Sequence, residues 1–107
     1  MAHFLLEVAY TPETWKALVN NPQDRSAAIR PVIEKLGGTI ENVWFSFGDY
    51  DAVVIMQMPD NVSAAAFSLA VAAGGAVRAH KTTPLLTIAE GIEAMKKASG
   101  AGYQAPR

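Results

Sequence analysis

The chain has 107 residues, of which 50% are apolar and 18% charged, with a net charge of −1. That length allows one domain, and the near-neutral balance argues against nucleic acid or an anionic membrane as a partner. The absence of cysteine excludes disulfides, thiolate metal sites and thiol nucleophiles.

His3 to Tyr10 reads as a first strand, with Phe4, Leu6, Val8 and Tyr10 on one face. Thr11 and Pro12 end it and start a helix, Thr11 as N-cap and Pro12 at the first helical position. Trp15, Leu18 and Val19 share the inner face of that helix, and Asn20, Asn21 and Pro22 break it. A second helical stretch from Gln23 to Leu36 carries an apolar stripe of Ala28, Ile29, Val32, Ile33 and Leu36. Pro31 is expected to kink it, and Gly37 and Gly38 to close it.

Thr39 to Phe47 reads as a second strand, with Trp44 opposite in parity to Val43, Phe45 and Phe47. Gly48 to Asp51 forms a turn into a third strand, Ala52 to Met58, apolar on both faces. Asp60 caps a third helix through Ala73, which Gly74 and Gly75 stop. A fourth strand follows from Ala76 to Thr83, closed by Pro84. Thr87 and Glu90 then form a capping box for a last helix through Ala98. The expected division is a domain over residues 1–98 and a loose tail over 99–107.

Two βαβ-like halves around a central hairpin predict an α+β, ferredoxin-like βαββαβ fold with an extra C-terminal helix. Both principal helices fall on one face of the sheet, which leaves the other bare. Val53, Val54, Ile55 and Met56 are nevertheless apolar on both sides of the third strand, where a water-facing sheet alternates. The expected cover is a second copy of the chain, in a homodimer or higher oligomer. The apolar run Phe4–Leu6 is cut by Glu7 and lacks a basic approach, so no leader, no membrane span and a cytoplasmic location are expected.

The order of segments resembles the GYD domain family of small bacterial proteins. Tyr10-Thr11-Pro12-Glu13, Gly37-Gly38, Phe47-Gly48-Asp49-Tyr50-Asp51, Val53-Val54-Ile55, Pro59-Asp60 and Lys81 to Thr87 carry the resemblance, over about residues 3 to 98. The Gly-Tyr-Asp signature takes the form Gly-x-Tyr-Asp here. The resemblance implies a ferredoxin-like fold and kinship with dimeric α/β barrels. It implies no activity, since the family is one of unknown function.

Three groupings are candidate sites. Gly48, Asp49, Tyr50 and Asp51 place two carboxylates around a phenol, which suits acid–base work, or else a hairpin turn in which an Asp bonds nearby amides. No metal site is expected, because that segment lacks further ligands. Strand parity and topology put His3, Glu7, Trp44, Arg78 and His80 together on the open sheet face as a ligand site. The plainer reading pairs Glu7 with Arg78 across two strands. Trp44, Met56, Met58 and Phe67 wall a pocket or simply pack.

Two functions follow as expectations. One is a ligand-binding or regulatory assembly module that holds a small apolar molecule, with its cofactor, if any, unknown. The other is a cofactor-free or haem-using monooxygenase or isomerase of the dimeric α/β-barrel kind, an argument from fold analogy.

Overall fold

A computed structural model describes residues 1–107. Four strands, β1 (Ala2–Tyr10), β2 (Thr39–Phe45), β3 (Ala52–Met58) and β4 (Val77–Leu85), form one antiparallel sheet in the order β2-β3-β1-β4. The helices are α1 (Pro12–Asn20), α2 (Ser26–Lys35), α3 (Asn61–Ala73) and α4 (Ile88–Ser99). β3 lies between β1 and β2, and β1 between β3 and β4. Each βαβ unit is thus split by a strand of the other, which is the ferredoxin-like arrangement.

Period-two alternation decides what the sheet buries. Phe4, Leu6 and Val8 of β1 and Ala52, Val54, Met56 and Met58 of β3 are buried, and Leu18, Ile33, Ala64 and Phe67 from the helices pack on them. Most of the helix starts are fixed by caps visible in the sequence. The Thr11 hydroxyl accepts from the Thr14 amide, and Asp60 Oδ1 accepts from the Ser63 amide. Thr87 and Glu90 satisfy each other's amides in a complete capping box. α2 ends in a Schellman motif: Gly38 N–H donates to Ile33 O and Gly37 N–H to Glu34 O. Gly37 stands at φ +88°, and Gly38 is pressed against Met58 and the Gln57 carbonyl, leaving no room for a Cβ.

Three boundaries differ from the sequence expectation. β2 ends at Phe45 and not Phe47, because Ser46 turns away to bond the Asp51 and Tyr50 carbonyls. α2 starts at Ser26, with Asp24 accepting from the Ser26 amide, and its helical run passes through Pro31. β4 runs past Pro84 to Leu85. It is an edge strand, so a missing N–H on its outer side costs no ladder bond.

α4 makes little contact with the other elements, and none of its residues is buried. The radius of gyration is 17.0 Å, against roughly 13 Å for a compact chain of this length. The difference reflects this projecting helix and the residues after it. Ile88, Ile92 and Met95 lie exposed along α4.

Candidate functional site

The register assigns every sheet residue to a face, since directly opposed residues share one. His3 opposes Gln57 and Leu85, Leu5 opposes Ile55 and Thr83, and Glu7 opposes Val53 and Lys81. Trp44 also opposes Val53. His3, Glu7 and Trp44 therefore share the open face.

Arg78 and His80 do not join them. A β-bulge between Ala9 and Tyr10 shifts the β1–β4 register, so Tyr10 opposes Val77 whereas Val8 opposes His80. The residue left over is Arg78, which is exposed. One extra residue inverts the parity of everything beyond it. His80 thus takes a position on the helix side of the sheet, opposite to His3. The five-residue grouping is not formed, and the cross-strand neighbour of Glu7 is Lys81 rather than Arg78. His3 has another partner: its Nε2 lies 2.8 Å from Glu41 Oε1. Glu41 stands at a second bulge, between Ile40 and Asn42 on β2.

The Gly-x-Tyr-Asp segment is a clamp between distant parts of the chain. Asp51 Oδ2 accepts from the Tyr10 amide at 2.8 Å and from Trp15 Nε1 at 3.1 Å. The Asp51 amide donates to the Val8 carbonyl. One residue thereby joins the hairpin, the end of β1 and the first helix. The Ser46 hydroxyl donates to the Tyr50 carbonyl and closes the turn. Gly48 takes φ +149°, a region other residues avoid, and Asp49 is exposed.

Trp15, so held, stacks edge-on against Tyr10 with ring centroids 5.3 Å apart, and lies 6.4 Å from the Phe45 ring. This aromatic corner borders a cavity of about 410 Å³ between the sheet and the helix layer. Its walls are Leu6 and Val8 from β1, Val54 from β3, Ile29 from α2, and Phe67 and Val71 from α3. Tyr10 and Phe45 also line it, and Trp44, on the edge strand, touches its rim. At the mouth stand Asp24, Arg25 and Ser26, before and at the start of α2. Burial pushes the Tyr10 phenol above its ordinary 10.0; the nearby Arg25 charge opposes that and Asp51 adds to it. The phenol is therefore a neutral hydrogen-bond donor at ordinary pH.

Of the four residues that could wall a pocket, Trp44 and Phe67 line this cavity, whereas Met56 and Met58 are packed core; its place between the elements has no sequence pattern of its own. The available signal was Arg25, a lone cation in the break between two amphipathic helices.

A split-βαβ sheet with helices on one face and an apolar cavity under them defines a small ferredoxin-like α+β domain. Residues 4–95 match the GYD domain, and the chain belongs to that family. Among solved structures, one described as "crystal structure of FFRP-DM1" is similar, with a TM-score of 0.51 and 11% identity. The match covers 80% of this chain and 100% of that one. The likeness at that identity is one of fold alone. No curated protein matches the chain.

Proposed function

We propose that the protein is a binding module that holds a small, largely apolar molecule between its sheet and its helices, and that it works as a homodimer or higher oligomer paired through the open sheet face. The observation that carries the first part is the cavity of about 410 Å³ walled by Leu6, Val8, Ile29, Val54, Phe67 and Val71. Its size lies within the range of ligand pockets, and mostly apolar walls with a few polar groups at one end are their usual composition. An apolar hollow also holds water poorly, and its walls lack dispersion partners on one side until something fills it.

The second part rests on the open face. Leu5, Val53, Ile55 and Leu85 are only half-buried there, and Trp44 is 51% exposed. Contiguous apolar surface of this kind marks an interaction site. α4 supports the same reading: a helix of 12 residues standing alone is marginal in water, so its exposed Ile88, Ile92 and Met95 call for a partner.

The test is thermal melting with 1-naphthol, using Ala70→Trp as the blocked control. Ala70 lines the cavity but is exposed on α3, so the substitution plugs the site without disturbing the core. The wild-type midpoint should rise with ligand concentration, because a ligand bound only by the folded form stabilises it. The variant should show no rise. No shift in either protein, or equal shifts in both, refutes the cavity as the site.

A further inference from the structure

Arg25 is the N-cap residue of α2, with φ −70° and ψ −18°, and its side chain is half-buried at the cavity. Its side chain makes one long hydrogen bond, from Nη1 to Gln23 Oε1 at 3.4 Å, which leaves most of its five donors open. The adjacent carboxylate turns one oxygen away, since Asp24 Oδ1 accepts from both the amide and the hydroxyl of Ser26. The other nearby carboxylate, Asp51, is held by Tyr10 N–H and Trp15 Nε1. The ion pairs of the chain are His3–Glu41 and Lys97–Glu93, neither of them at this cavity. Asp24 and Asp51 keep their negative charge, but neither forms an ion pair with Arg25, so its guanidinium has donors free for an anion.

Resting on the cavity reading above, we infer that the ligands of this cavity are aromatic or alicyclic carboxylates, with Arg25 as the residue that selects the anionic end. The planar fork of an arginine matches the two oxygens of a carboxylate, which a point charge does not. The Tyr10 phenol on the same cavity supplies a further neutral donor. The rings of Tyr10, Phe45 and Phe67 provide walls suited to a flat apolar body. Specificity in such a site comes from the polar end, because an apolar wall discriminates weakly between molecules of similar shape.

The test compares 1-naphthoate with its neutral shape-mate 1-naphthamide by calorimetric titration, in the wild type, Arg25→Gln and Arg25→Lys. The wild type should prefer the carboxylate by about tenfold or more, the scale of a charge-assisted bidentate contact. Arg25→Gln should abolish the preference by weakening carboxylate binding at least tenfold more than amide binding, and Arg25→Lys should retain only part of it. Equal wild-type affinities for the two probes overturn the carboxylate inference and leave the cavity reading standing. A preference that survives in Arg25→Gln overturns the assignment to Arg25. Binding of neither probe overturns the inference and the cavity reading together.

Discussion

Asp51 and Trp15 are joined by a 3.1 Å hydrogen bond from the indole Nε1 to Oδ2, and the same oxygen accepts the Tyr10 amide. Asp51→Ala removes the acceptor of two part-buried donors at once. A loss of about 1–3 kcal/mol for each stranded donor is expected. Asp49→Ala, at an exposed position of the same turn, should be nearly neutral. Urea unfolding of both variants checks this, and equal midpoints would show that the clamp does not hold the fold.

The two glycine signals differ in kind. Gly38 is buried against Met58, Gln57 and Ile33, so Gly38→Ala must displace packed core atoms. Gly48 has open space around it but φ +149°, so Gly48→Val costs backbone strain of about 1–3 kcal/mol and no packing. Thermal melting should rank both variants well below Asp49→Ala. A Gly48→Val midpoint equal to wild type would show that the turn accepts ordinary angles.

Much of the fold is legible in the sequence because its determinants are local. Thr11-Pro12, Asp60 and the Thr87–Glu90 pair each announce a helix start through the side chain that caps it. Gly37-Gly38 announces a stop, and even-numbered apolar residues of β1 and β3 announce the core. The five-residue open-face site failed at one point, the bulge beside Tyr10. Pairing on β4 is regular from Ala79 to Leu85 and skips Arg78, and nothing local in Val77-Arg78-Ala79-His80 says that one residue is extra. The role of Asp51 was half legible: that an Asp of the turn bonds an amide follows from its type. That the amide lies 41 residues away, and that Trp15 shares the carboxylate, comes from tertiary packing.

Stability should fall at both ends of the pH scale for separate reasons. Hydrogen bonds from Ser63 hold the Asp60 carboxyl below its ordinary 3.8. Its cap therefore contributes fully above that value and is lost as pH falls through the lower folded one. Asn is also a good N-cap, so Asp60→Asn should keep the helix and flatten this part of the acid profile. Tyr10 has the opposite sign: its raised pKa gives stability present below pH 10.0 and lost as pH rises through the folded value. Phenolate absorbance should show one of the three tyrosines titrating late. Tyr10→Phe should remove that late step; its persistence would assign it to Tyr50 or Tyr103.

Val53 faces away from the helices, with Glu7 and Trp44 across from it. Light scattering should give a mass at least twice the 11.4 kDa of one chain. Val53→Asp should reduce it to one chain, because an unpaired charge is expensive to bury in an interface. A wild-type mass near 11.4 kDa would exclude pairing through this face.

The most direct test of the cavity reading is an amide chemical-shift titration of the labelled protein with 1-naphthol. Shifts at Tyr10, Ile29, Val54, Phe67 and Val71, which line the helix-side cavity, are the predicted result. Shifts confined to Leu5, Val53 and Ile55 on the open face, or no saturable shifts at all, would contradict it.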